Sequence, residues 1–245
     1  MNQTQQSNAS VDSLILNLQK KIKFWHYAIG FHLNLLTYLG KSRDYVFSNI
    51  FSHNRWLESE SVSGPGSTLE QTAFIRKMLP LLLKELNVKS VLDAPCGDFY
   101  WMKEVELDLD EYWGGDIVPD LITEIKQKYA NKKRNFITLD IVADQLPTVD
   151  LIFCRDCFVH LPFKDIITAI KNFKTSGSTY LLTTTYPGGV QKNKDIIIGN
   201  WRAIDLQLSP FNFSPPIKVI NEQTTESGDL PEKSLGLWKL ADIPL

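Results

Sequence analysis

Apolar and polar positions divide the chain into stretches of different character. Residues 1–12 are rich in Gln, Asn and Ser, which predicts a disordered tail. From Leu14 to Leu39 the spacing turns helical, with Leu14, Leu18, Ile22, Trp25 and Ile29 on one stripe. Residues 42–56 are mixed, with Tyr45, Phe47, Ile50, Phe51 and Trp56 as candidate packing anchors. Residues 58–67, Glu-Ser-Glu-Ser-Val-Ser-Gly-Pro-Gly-Ser, predict a loop, either an ordinary surface connection or a lid over a ligand-binding edge. A helix is expected to follow, started by a capping box at Ser67 and Glu70 or at Thr68 and Gln71. Its apolar face would hold Leu69, Ile75, Met78, Leu79, Leu82, Leu83 and Leu86, and Pro80 is expected to bend or restart it.

From residue 89 onward, strand and helix patterns alternate. Strands are predicted at 89–93, 111–116, 135–139, 149–154, 178–185 and 235–240, with an additional one at 217–222. Helices are predicted at 99–106, 119–130 and 162–174. Such alternation implies an α/β fold, a doubly wound, mostly parallel sheet with helices on both faces. The expected organisation is a tail at 1–12, a helical region with a lid loop at 13–66, and the α/β domain at 67–245.

Composition narrows this further. An apolar fraction of 43% with 22% charged residues is that of a globular protein with a substantial core. A net charge of −2 gives no bulk attraction for nucleic acid. The basic cluster Lys126, Lys128, Lys132, Lys133 and Arg134 is explained by a solvated helix end. Three cysteines do not make a disulfide framework, which fits a reducing compartment. The first 21 residues lack a signal-peptide pattern, so a cytoplasmic location is expected. Residues 24–40 are uncharged but contain His26, His32, Asn34 and Thr37, and are too short to span a bilayer. A buried helix or an interfacial contact with a membrane both fit them. Oligomeric state is not legible.

The chemistry centres on Ser90-Val91-Leu92-Asp93-Ala94-Pro95-Cys96-Gly97-Asp98. A short apolar strand ends in an acid and a tight turn, where parallel sheets place nucleotide-like ligands. Tyr112-Trp113-Gly114-Gly115-Asp116 is a second strand ending in an acid, 23 positions after Asp93 (93 to 116). That is close to the spacing of about 20 at which an acid meets a ribose hydroxyl.

Asp93 to Phe99 resembles the first motif of class I S-adenosylmethionine-dependent methyltransferases. Asp116, then Asp140 with Ile141, resemble the acids that close the family's second and third strands, and Val149 to Asp156 resembles its fourth. Phe158-Val159-His160-Leu161 is similar to the apolar-His-apolar ending common there. Pro95 and Phe99 stand where the family usually has glycines, leaving Gly97 alone.

The resemblance implies a Rossmann-like class I fold with seven strands, an N-terminal helical extension and S-adenosyl-L-methionine as cofactor. Asp93 or Asp98 would accept from the cofactor's ammonium, with Ala94, Pro95, Cys96 and Gly97 forming the turn beneath its tail. Asp116, followed by Ile117, would take the ribose, and Asp140 with Ile141 the adenine, with Arg155 beside the same site. Any one of these acids is also explained as a solvated loop carboxylate or a helix cap.

Asp156 and His160, four residues apart, could share one helical face as catalytic groups, or be a packed histidine beside a carboxylate. Tyr186, Trp201 and Arg202 are candidates for reading a small polar acceptor, such as a sugar hydroxyl. Two other readings stay open: a non-catalytic module that binds the cofactor or another nucleotide, or a zinc or redox site at Cys96, Cys154 and Cys157.

Overall fold

The computed structural model describes residues 37–225 and 232–244. The expected tail, nearly all of the first helix and most of the 24–40 segment lie outside the described residues. The chain divides into two compact units, Met1–Lys41 and Ser42–Leu245. Residues 43–66 thus share one unit with the sheet.

That unit is built on seven strands: β1 (Ser90–Asp93), β2 (Glu111–Asp116), β3 (Arg134–Thr138), β4 (Leu151–Cys154), β5 (Tyr180–Thr185), β6 (Lys218–Asn221) and β7 (Ser234–Lys239). Their order is β3-β2-β1-β4-β5-β7-β6. The first five pair in parallel, and β7 runs antiparallel to both β5 and β6. The helices are α1 (Arg43–Ser52), α2 (Ala73–Glu85), α3 (Pro119–Tyr129) and α4 (Phe163–Thr175).

Continuous apolar runs place β1 and β4 at the centre. All four β4 residues are buried, as expected of a parallel strand covered on both faces. Val91, Leu151, Phe153 and Leu182 join one core with Ile75, Leu79 and Leu82 of α2 and Leu121, Ile122 and Ile125 of α3. Each such side chain contributes roughly 1.5–3 kcal/mol on burial. At the amino edge, Asp150 accepts from the Lys89 and Ser90 amides at 2.8 Å, tying the entry of β1 to that of β4.

Two expectations needed correction. No helix spans 99–106: a single 3-10 turn, Met102–Glu104, stands there. Gly97 (φ +56°) and Phe99 (φ +58°) are both left-handed, which no α-helix tolerates. Phe99 turns inward, with ring centroids 5.2–5.5 Å from Phe136, Tyr129 and Tyr112. Second, α2 begins only at Ala73. The Thr68 hydroxyl does accept from the Gln71 amide at 3.3 Å, but the chain stays in turns until Thr72. At Pro80, where a bend or a restart was expected, α2 continues as one helix. Burial of Leu79, Leu82 and Leu83 around it outweighs the missing hydrogen bond.

The carboxyl edge of the sheet as candidate active site

The strand register carries Asp93, Asp116 and Asp140 to the carboxyl ends of three adjacent parallel strands. Asp93 pairs with Gly114, and Asp116 with Thr138, two residues before Asp140. Asp93 is buried and accepts a short hydrogen bond from the Tyr112 hydroxyl. Burial pushes its carboxyl up to about 7, although Tyr112 and the Arg155 charge pull it back. Asp116 is also buried, and accepts from the Val118 amide at 3.1 Å and the Gly97 amide at 3.2 Å. Burial lifts it to about 6 against those amides. Among the described residues, no cation lies within ion-pair distance of either carboxylate.

Asp140 is differently placed. Arg43 of α1 grips both its oxygens, through Nε at 2.9 and 3.2 Å and Nη2 at 2.9 Å, and the Val142 amide donates to it at 2.9 Å. An adenine amine would have to share that carboxylate with Arg43. Ile141 beside it is buried.

The turn after β1 donates inward. Ala94 N–H goes to Phe153 O at 2.9 Å, Cys96 N–H to Gly115 O at 2.9 Å, and Gly97 N–H to Asp116. No helix start follows, and these amides are spent on partners within the chain. Asp98 faces the upstream loop. It accepts from Ser61 Oγ at 2.9 Å, the Val62 amide at 3.0 Å, Ser63 Oγ at 3.2 Å and the Tyr100 amide at 3.2 Å. Its own amide donates to Ser63 Oγ at 3.0 Å. A Cβ at Gly97 would fall 2.2 Å from Ser63 Oγ, so only glycine fits beneath that hydroxyl.

Beyond β4, charges pair within the chain. Arg155 donates to Glu222 through Nε at 3.1 Å and Nη2 at 2.7 Å, and to Gly66 O at 2.8 Å. Its Nη1 lies 3.2 Å from Asp156, which Lys233 also binds, and Lys233 stands 3.6 Å from Glu222. Burial alone would raise Asp156, but Lys233 and Arg155 outweigh it and hold the carboxyl down at about 2. Asp156 adopts φ +53° and His160 sits in a 3-10 turn, so the two do not share an α-helical face. The Asn200 carbonyl orients His160 instead, 2.9 Å from Nδ1. Burial lowers the imidazole below its ordinary value, and its ring lies 5.4 Å from that of Trp56.

The acceptor candidates separate in the same way. Trp201 is 37% exposed and meets buried Tyr186 edge-on at 6.2 Å. Arg202 is buried and donates to the carbonyls of Lys194 (3.0 Å), Phe158 (2.8 Å) and Leu161 (2.9 Å). It bolts a loop to the turn after β4 rather than facing an acceptor. Cys96 and Cys154 are buried free thiols pushed well up by burial, and Cys157 is free and half-buried. Among the described residues, no group of three or more His, Cys, Asp or Glu could hold a metal ion. None of them forms a helix long and apolar enough to cross a membrane. A cavity of about 420 Å³ between α3 and β3 is lined by Ile122, Lys126 and Phe136 among others, and by Thr138, the register partner of Asp116.

Several participants had no local signal in the sequence. Arg43, Glu222 and Lys233 come from distant segments, and only pairing across 67 to 97 positions exposes them. Trp56 was legible only as a packing anchor.

No protein-family model matches the chain, and no curated protein does. Solved structures do. A Leishmania major SAM-dependent methyltransferase of the DUF858 family superposes with TM-score 0.56 at 14% identity, covering 78% of this chain and 83% of that one. The methyltransferase domain of bacterial CtHen1-C gives TM-score 0.52 at 13% identity, covering 70% of this chain and 98% of that one. With the strand order and the antiparallel β7, these likenesses establish the class I methyltransferase fold.

Proposed function

We propose that this chain is an S-adenosylmethionine-dependent methyltransferase acting on a small polar acceptor, a hydroxyl of a sugar or another metabolite. The observation that carries this reading is the pair Asp93 and Asp116, two buried carboxyl groups with no described cation within ion-pair distance, at adjacent strand ends of this fold. Burying a carboxylate uncompensated is costly, and such groups mark sites where a ligand supplies the missing partner. Asp93 suits an ammonium and Asp116 a pair of ribose hydroxyls. The bound cofactor would supply a methyl group on a sulfonium.

The chain's own groups then divide the remaining work. His160 donates from Nδ1 to the Asn200 carbonyl, which leaves the Nε2 lone pair to take the proton from an acceptor hydroxyl. Asp156 is held as a carboxylate by Lys233 and Arg155, too weak a base to compete. Trp201, partly exposed beside Asn200, offers an apolar face to an acceptor ring. A net charge of −2 favours a small acceptor over a nucleic acid.

Titration calorimetry with S-adenosylmethionine and S-adenosylhomocysteine tests the reading; no heat with either would end it. Asp116→Ala should weaken binding, whereas His160→Ala should lower turnover by about 100-fold or more with binding retained. Equal loss of cofactor affinity in both would contradict that division. A second reading, a module that binds without transferring, draws on the engagement of Asp98 and Asp140 by the chain itself. Tight binding with no transfer across a broad hydroxyl panel would favour it.

A further inference from the structure

The segment upstream of α2 crosses the carboxyl edge and is fastened at several points. Trp56 packs on His160, and a Cβ at Gly64 would lie 3.4 Å from the Trp56 side chain. Ser61 and Ser63 hold Asp98 just after β1. The Gly66 carbonyl accepts from Arg155 just after β4. Ser61 is only 2% exposed, so this is no loose surface loop.

The backbone of the same segment departs from ordinary conformations at both ends. Asn54 (φ +40°) and Leu57 (φ +54°) are left-handed at its start, and Gly64 adopts φ +94°, ψ 175°, a region open essentially to glycine alone. Residues with unusual torsions at both ends of a bound segment are positions where a hinge can absorb rotation.

We propose that residues 54–66 form a gate over the cofactor edge and that Asp98 is its latch. Asp98 is assigned here to holding the gate shut rather than to the cofactor's ammonium. Its two oxygens receive three donors from Ser61, Val62 and Ser63, which leaves little capacity for a ligand. Ser63 Oγ covers Gly97 in the turn, 2.2 Å from where a Cβ would stand. A cofactor resting on that turn enters and leaves only when the Asp98 contacts open, and is retained when they re-form. This inference rests on the methyltransferase reading, since it needs a ligand at that edge.

Rapid-mixing fluorescence with S-adenosylhomocysteine, on the full chain and its Ser61→Ala/Ser63→Ala variant, tests it. Breaking a gate speeds both association and release, here by about tenfold or more, while the equilibrium affinity moves less than either rate. A change confined to release, with an equal loss of affinity, would show instead that the serines bind the ligand, and would overturn the gate. Hydrogen exchange on the unaltered protein supplies a reading that does not depend on the variant folding. Peptides spanning 54–66 should exchange more slowly with saturating S-adenosylhomocysteine, while α4 peptides stay unchanged. Unaltered or faster exchange there would overturn the proposal. If the unaltered protein binds no S-adenosylhomocysteine at all, it is the methyltransferase reading that has failed.

Discussion

The two halves of the carboxyl edge bury carboxylates in opposite ways. At the β1–β2 end, Asp93 and Asp116 lie buried with hydroxyl and amide donors only, and their pKa values shift up to about 7 and about 6. Beyond β4, Asp156 and Glu222 lie against Arg155 and Lys233, and Asp156 is held down at about 2. One half leaves its carboxyl groups without an ion-pair partner and the other has balanced its own charges. Buried charge matched inside the chain is architecture, and buried charge left unmatched points to a ligand.

The largest effect should come from unbalancing the balanced half. Glu222→Ala leaves Arg155 and Lys233 to share one counter-charge, Asp156, and should destabilise the fold by about 3–5 kcal/mol in denaturant titration. A loss under about 1 kcal/mol would mean that water already screens the cluster, and the contrast between the halves would dissolve. In the other half, Asp116→Ala should weaken cofactor binding by about 10- to 100-fold, because charged hydrogen bonds are lost. Its folding stability should hold or rise, since an uncompensated carboxylate disappears. Binding and stability falling together would place Asp116 in the architecture instead.

The smallest effect is in pH dependence, and its sign differs between the halves. Asp93 has a raised pKa in the fold, so the native state keeps a proton that the unfolded chain gives up. Its contribution favours the fold at low pH and is lost as pH rises through about 7. Without ligand, stability should fall by about 1 kcal/mol between pH 6 and 7.5 on its account. Saturating cofactor should flatten that slope by supplying a positive partner. Asp156 behaves oppositely: its contribution is present above pH 4 and fades only as pH falls towards about 2. Chemical denaturation at pH 2, 4, 6 and 7.5, with and without S-adenosylhomocysteine, measures both signs.

Most of the sheet could be read along the chain, because each strand is an apolar run closed by an acid or a turn. The predicted 111–116 strand is β2 itself, and the other strands fall within two residues of their expected ends. The helix expected at 99–106 failed because Phe99, apolar and next to other apolar residues, fits a helical stripe equally well. Only contact with Tyr112, Tyr129 and Phe136 turns it inward. Residues 58–67 were legible as a loop with a choice between idle and functional. Nothing local shows that Ser61 and Ser63 meet Asp98, 35 to 37 positions later.

By itself the sequence determined what short-range pattern controls: where strands begin and end, which acids close them, and that Gly97 stands in a tight turn. Tertiary structure decided which acids are matched, since that depends on cations arriving from elsewhere in the chain. Arg43 came to Asp140 and Lys233 to Asp156, while none of the described cations came within ion-pair distance of Asp93 or Asp116. Coulombic pairing acts through space and leaves no period in the chain, so the difference between a binding carboxylate and a structural one appears only after folding.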